Sequence, residues 1–265
     1  MSIINAIARR AMEEYGLRVP NRDLFLRSTL ILESLKGMYA GRRGFVVGNG
    51  PSLRMSDLEG ITGEITIASN KIYLAFGSVT WRPTCFTVSD DLVWSKIRME
   101  IPTEVERVFI PSRFGTYESS VQSVIFRLLR KPLHSKRLSL TRRVPCLGFL
   151  DPMPKSFSSD LCIGAYDGYT VTYINIQLAV HMGCNPIYLI GCDHYYSGES
   201  QQVSSDVETA EDNNHFIRGY RSPGEIVKRA PIDLMTRAYE VANEACASKG
   251  VKVFNATRGG FLEAF

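Results

Sequence analysis

The chain has 265 residues, 45% hydrophobic and 22% charged, which is enough for one large domain with a substantial apolar core. Its net charge of +4 suits anionic small molecules such as nucleotides or phosphorylated lipids and is too mild to argue for nucleic acid. Six cysteines with no C-x-x-C pair, an N-terminus without a continuous apolar stretch, and no run near the roughly 18 apolar residues of a membrane span argue against a disulfide scaffold, a signal peptide and a spanning helix, and predict a cytoplasmic protein.

Residues Met1 to Lys36 predict one or two helices. Ile3, Ile4, Ile7, Ala8 and Met12 recur at helical spacing, and Asn21 is placed to cap a second helix carrying Leu24, Phe25, Ile31, Leu32 and Leu35. Residues 1–40 are therefore expected as a helical appendage packed on the core, with a dimer interface or a membrane-surface helix as the alternative. From Gly44 the pattern changes to short apolar runs: Gly44–Val47, Ile65–Ala68, Cys85–Val88, Val108–Ile110, then Ile187–Ile190 and Val251–Phe254. These runs are apolar on both faces, as strands of a parallel sheet covered by helices are. Helices over Thr170–Met182 and Ile232–Ser248, each ending near a glycine (Gly183, Gly250), supply a βαβ rhythm. The expected class is α/β, a Rossmann-like, mostly parallel sheet with helices on both faces across residues 41–265.

Two segments interrupt that rhythm. A basic insertion at about 115–145 carries Arg127, Arg130, Lys131, Lys136, Arg137, Arg142 and Arg143, and is read as a solvated helical face, with an acceptor lid or a peripheral contact with the inner face of a membrane through 127–143 as alternatives. The polar stretch at about 197–214 reads as a mobile loop.

The chemistry-bearing residues sit where the strands end. Phe45 to Leu53 reads F-V-V-G-N-G-P-S-L. Gly48 and Gly50 can take positive φ and let a ligand approach the backbone, Asn49 can both donate and accept, Pro51 fixes φ, and Ser52 starts a turn whose N–H groups can face an anion. A plain strand-to-turn junction is the competing reading, because the full G-x-G-x-x-G spacing and a Walker lysine are missing. The second strand ends in Ser69-Asn70 and the third in Ser89-Asp90-Asp91, and in an open parallel sheet such carboxyl ends line the ligand crevice. The acids are read as caps or solvated groups, with a metal site as the alternative. The fifth strand runs into Gly191, Asp193, His194, Tyr195 and Tyr196, whose hydroxyls can stabilise a leaving phosphate. Asn213 to Arg221 then brings His215, Arg218, Tyr220 and Arg221, a general base with anion contacts. Asn255, Thr257 and a Gly pair end the last strand at the same crevice.

The order G-N-G-P-S-L, S-N, an apolar helix led by Thr170, I-Y-L-I-G-C-D-H-Y-Y and N-H-F resembles the bacterial sialyltransferases of lipooligosaccharide synthesis. The G-C-D, N-H-F and N-A-T-R-G-G set is also similar to the broader MptE-like family of 6-hydroxymethylpterin diphosphokinases and flagellin modification factors. The resemblance implies that Asn49 and Asn70 contact a nucleotide sugar, with Gly48 and Gly50 as its backbone cradle; Ser89 stands where those enzymes have asparagine and Thr170 begins a turn whose next two residues differ, while Pro51, Ser52, Asp90, Tyr196 and Tyr220 are read from their own positions as lining the same site. The resemblance implies catalytic roles for Asp193, Tyr195 and His215. The sialyltransferase histidine falls near Gly219 or Tyr220, so His215 takes over as base or the chemistry differs.

The first expectation is a glycosyltransferase moving a nonulosonic acid-type sugar from a CMP-linked donor to a glycan hydroxyl, with no metal. The second is an ATP-dependent pyrophosphokinase with Asp90, Asp91 or Asp193 holding magnesium. The third is a catalytically silent nucleotide-binding module. A homo-oligomer is compatible with all three.

Overall fold

The computed structural model describes residues 22–115, 118–129, 157–196, 206–208, 213–222, 224–228 and 230–265. Helix α1 (Arg22–Leu35) leads into strand β1 (Gly44–Val47), helix α2 (Met55–Gly60) and strand β2 (Ile65–Ser69). A 3-10 turn (Asn70–Ala75), β3 (Cys85–Thr87), α3 (Asp91–Ile97), β4 (Arg107–Pro111) and β5 (Gln122–Phe126) follow. After β6 (Leu128–Leu129) and β7 (Ala165–Tyr166) come α4 (Val171–His181), β8 (Ile187–Ile190), the pair β9 (Asp206–Glu208) and β10 (Ile226–Lys228), α5 (Ile232–Ala247) and β11 (Val253–Asn255).

Seven strands form one sheet in the order β11-β8-β1-β2-β3-β4-β5, and every pairing in it is parallel. β6 and β7 make a short parallel pair, and β9 and β10 an antiparallel one. The expected Rossmann-like α/β architecture is therefore present. The order reverses direction at β1: strands β2 to β5 extend to one side and β8 and β11 to the other. Such a switch point opens a crevice at the carboxyl ends of the two diverging strands. One core, holding Ile67, Ile174, Leu178, Leu189, Tyr239 and Ala242, lies where α4 and α5 cover the sheet. A second, with Leu58, Ile72, Trp94 and Ile97, lies under α2, the 3-10 turn and α3.

The strand expectations hold for five of the six runs to within one residue, and the last is shifted by one or two: β11 begins at Val253 and ends at Asn255. Sequence periodicity missed β5, because it falls inside the segment read as a basic insertion. Val124, Ile125 and Phe126 are fully buried there. Its outer edge is covered by α1, where the Ser28 hydroxyl accepts the Ile125 N–H at 2.9 Å and so satisfies a backbone donor that an edge strand leaves open. Helix α1 packs into the cores beside the sheet, with Phe25, Leu32 and Leu35 buried. The first predicted helix and Asn21 lie outside the described residues, as does the basic stretch 130–156 and most of the predicted mobile loop, of which 206–208 is the strand β9. No helix among the described residues is long and apolar enough to cross a membrane.

Helix α4 is buried nearly all round, and its Gln177 and His181 side chains are tied off inside the protein. Gln177 Oε1 accepts the N–H groups of Ser158 and Tyr166, while Nε2 donates to the carbonyls of Tyr166 and Tyr173. His181 Nδ1 accepts the Leu161 N–H at 3.2 Å, so the proton sits on Nε2 and is donated to Leu32 O at 2.9 Å. One neutral imidazole thereby joins α1, α4 and the chain before β7. Burial pushes its pKa below 6.5, and Asp160, 3.7 Å away but bound to Lys36, does not reverse that.

A histidine protonated more readily in the unfolded chain stabilises the fold fully above its unfolded pKa and loses that contribution as the pH falls through 6.5 toward the lower folded value. His181→Ala is expected to cost about 2–3 kcal/mol at neutral pH, leaving two buried backbone groups unpaired. The wild-type thermal midpoint should fall more steeply than that of His181→Gln on acidification from about pH 7 to about 5.5; parallel slopes would contradict the neutral assignment.

Candidate functional site

At the switch point the ends of β1 and β8 run so close that side chains are excluded. Gly48 N–H donates to Ile190 O at 2.8 Å and Gly50 N–H to Gly191 O at 2.9 Å. A Cβ on Gly48 would overlap the Gly191 carbonyl, and one on Gly50 would overlap the Asp193 carboxylate. Neither glycine has a positive φ. The expected backbone cradle is thus corrected: these two N–H groups already serve β8, and the glycines are required by strand contact. Ser52 is corrected in the same sense. The anion its N–H meets is the chain's own Asp193, whose Oδ1 accepts Ser52 N–H at 3.2 Å while Oδ2 accepts the Ser52 hydroxyl at 2.9 Å. Asp193 locks the glycine loop, and burial raises its pKa against the opposing Ser52 donors.

Asn49 leans the other way, toward β2. Its Nδ2 donates to Ser69 O at 3.1 Å and lies 3.4 Å from Ser69 Oγ, which leaves Oδ1 as the acceptor. Asn70, the next residue along β2, is held at φ +57°, a left-handed conformation that asparagine tolerates better than most residues. The carbonyl oxygens of both side chains, Asn49 Oδ1 and Asn70 Oδ1, are buried and meet no hydrogen-bond donor among the described residues. An acceptor shut away from water in this state costs about 1–3 kcal/mol.

The segment from Asn213 to Arg221 crosses these strand ends. Phe216 N–H donates to Asn49 O at 3.1 Å, Lys71 N–H donates to the Tyr220 hydroxyl at 3.3 Å, and Lys71 Nζ donates to Tyr220 O at 2.8 Å. The His215 and Tyr220 rings stack at 3.8 Å with an interplanar angle of 7°. Asn49, Asn70, His215 and Tyr220, separated by up to 171 positions in sequence, therefore share one crevice (49 to 220).

The remaining predicted residues take other places. Asp90 caps α3 through Val93 N–H, and Ser89 O accepts from Arg113. Thr170 caps α4 through Thr172 N–H, and Tyr196 packs at the edge of the α4–α5 core. Tyr195 is 44% exposed and its ring leans on Phe261 of the C-terminal tail at 5.1 Å. His194 turns away onto α5, bonding Thr236 at 2.7 Å. Pro51 is exposed at the tip of the loop. Asn255 and Thr257 are spent on the C-terminal turn: Thr257 Oγ1 accepts Cys192 N–H, and Asn255 spans Thr257 N–H and Leu262 O. Asp90, Asp91 and Asp193 do not gather, and no group of three metal-ligating side chains is found among the described residues. Behind the loop, Ser52, Ser56, Ile61, Ile190 and Ala256 line a cavity of about 310 Å³ beside the Asp57–Arg258 ion pair. Lys71, Lys96 and Glu225 belong to the crevice and were not singled out from sequence; Lys71 directly follows the Ser-Asn pair, which was the available signal.

A family model described as 6-hydroxymethylpterin diphosphokinase MptE-like matches residues 25–199. No curated protein matches the sequence. Among solved structures the chain is similar to the MAf glycosyltransferase from Magnetospirillum magneticum AMB-1, with a TM-score of 0.45 and 13% identity over 91% of this chain. It spans only 37% of that protein's chain. It is also similar to a mammalian sialyltransferase in complex with Gal-beta-1-3GalNAc-ortho-nitrophenol, with a TM-score of 0.42 and 14% identity over 97% of this chain and 86% of that one.

Gly48→Ala should destabilise the protein more than Gly50→Ala, because its Cβ meets fixed backbone whereas that of Gly50 first meets a side chain. Costs of about 1–3 kcal/mol or more are expected from such overpacking. In denaturant titrations, adding Asp193→Ala should partly restore Gly50→Ala and leave Gly48→Ala unimproved; equal behaviour of the two pairs would refute the strand-contact account.

Proposed function

The chain belongs to the MptE-like family, and from that premise we propose that it is a nucleotide-dependent transferase, a glycosyltransferase using a CMP-linked nonulosonic acid-type donor and a glycan hydroxyl as acceptor. The observation that carries the nucleotide is the pair of stranded carbonyl oxygens on Asn49 and Asn70. Hydroxyl and amino donors of a nucleoside supply what these acceptors lack, and the site lies at the switch point where α/β sheets bind nucleotides. The sugar follows from the motif order that resembles the lipooligosaccharide sialyltransferases.

In this reading the acceptor oxygen attacks the anomeric carbon and its proton passes to His215, oriented by the Tyr220 ring it stacks on. The bond from the anomeric carbon to the phosphate oxygen breaks with its electron pair going to the phosphate. Tyr195, exposed after β8, offers a hydroxyl to the leaving group. Asp193 positions the glycine loop without touching the reacting atoms. The nucleotide sugar is a co-substrate, and the scheme calls on no further cofactor.

A second reading, pyrophosphoryl transfer from ATP to an alcohol, is favoured by the family's description and by the three cations that meet at the same strand ends. Calorimetric titration with CMP and with ATP separates the two. Loss of one hydrogen bond worth about 1.4 kcal/mol is a tenfold loss of affinity, so Asn70→Ala should weaken the preferred nucleotide about tenfold. If neither nucleotide binds, or if Asn70→Ala leaves binding untouched, the nucleotide reading fails.

A further inference from the structure

Three cations from three separate elements converge on one carboxylate. Glu225 lies 2.9 Å from Lys96 of α3, 3.6 Å from Arg221 and 3.8 Å from Lys71, which follows β2. The Glu225 side chain is only 10% exposed, with Lys71 at 17% and Arg221 at 22%. Among the described residues three positive charges meet this one negative, a surplus of two, and Lys71 and Arg221 are held largely out of water, where unmatched charge is costly. Docking the 213–225 segment on the sheet requires one cation for this carboxylate; the other two are in excess of that need. Two lysine ammonium groups and a guanidinium fork around one small oxyanion are the donor set that proteins use for phosphate. The cluster also adjoins the rest of the crevice: Lys71 is the neighbour of Asn70 and donates to Tyr220 O at 2.8 Å. Although burial works to raise the Glu225 pKa, Lys96, the Ser222 N–H and Lys71 outweigh it and keep the group below the ordinary carboxylate range.

We propose that Lys71, Lys96 and Arg221 bind a phosphoryl group of the co-substrate, and that Glu225 is a built-in competitor occupying the phosphate's seat. This rests on the nucleotide reading above and adds to it the residues that hold the anion. A phosphoryl group entering the seat displaces the carboxylate from the lysines, so binding is weaker than the cations alone would give and is sensitive to salt.

The test is calorimetric titration of the full chain with inorganic pyrophosphate and with inorganic phosphate, for wild type, Lys96→Met, Lys71→Met and Glu225→Gln, with folding checked by circular dichroism. Each lysine substitution should weaken pyrophosphate about tenfold, the effect of one charge-assisted contact. Glu225→Gln should tighten it several-fold, and raising the salt should weaken all of them. A preference for pyrophosphate over phosphate assigns the seat to a di- or triphosphate, and equal affinities assign it to a single phosphoryl group. Unchanged affinity in Lys96→Met, or weaker affinity in a folded Glu225→Gln, overturns the proposal. Should Glu225→Gln fail to fold, Lys96→Met decides alone, since that side chain is 41% exposed. Binding of cytidine or adenosine without pyrophosphate overturns the cluster and leaves the nucleoside reading standing; the reverse overturns the nucleoside reading alone.

Discussion

The close approach of β1 to β8 is the constraint from which the site follows. Their ends are bonded through Gly48 to Ile190 and Gly50 to Gly191, at a separation that leaves no room for a Cβ. Once the two strands are fixed in this way, Asp193 is brought under the loop and clamps Ser52. The peptide between the two glycines then has one course, and Asn49 is aimed across to Ser69 and the end of β2. A loop held so tightly presents its side chains at fixed positions, as a site that recognises a small ligand needs.

The crevice is asymmetric around that clamp. On the β2 and β3 side it gathers acceptors without donors, a stacked histidine and tyrosine, and a surplus of positive charge. On the β8 and β11 side the strand ends are occupied with one another: Thr257 takes the Cys192 N–H, Phe261 N–H reaches Asp193 O, and Asp57 is bound by Arg258. Asn255, Thr257 and Asp57 are thereby spent within the protein, which leaves Tyr195 as the exposed hydroxyl on this side. Burial likewise pushes the thiols of Cys85, Cys192 and Cys246 up to about 12, which leaves them as apolar filling among the core residues.

Much of this was legible in the sequence, for physical reasons. Apolar runs of four or five residues closed by Gly, Asn or Ser gave the buried parallel strands, since strands covered on both faces cannot alternate. Thr170 before an apolar run gave the start of α4, whose cap it is. Asn49, Asn70, Tyr195 and His215 are expected at one cleft because each follows a strand or returns from a loop; the first two and His215 meet there, with Tyr220 stacked on the histidine, whereas Tyr195 leans on Phe261 of the C-terminal tail. The sequence misled where one residue type serves two ends. Glycines that suit a phosphate cradle also suit two backbones in contact, and spacing cannot tell the two apart. β5 was hidden by the lysines and arginines that follow it, although Val124 to Phe126 are among the most buried residues of the sheet. Lys71, Lys96 and Glu225 come from three elements whose meeting depends on the strand order, which local pattern does not encode.

Hydrogen–deuterium exchange of the full chain, with and without saturating CMP or ATP, tests most directly whether a nucleotide occupies the crevice under the 213–225 segment. The account predicts slowed exchange in the backbone around residues 49–53, 69–72 and 213–222, with the rest of the sheet unchanged. Protection confined to residues 52–61 and 256–258, around the cavity behind the glycine loop, would contradict it.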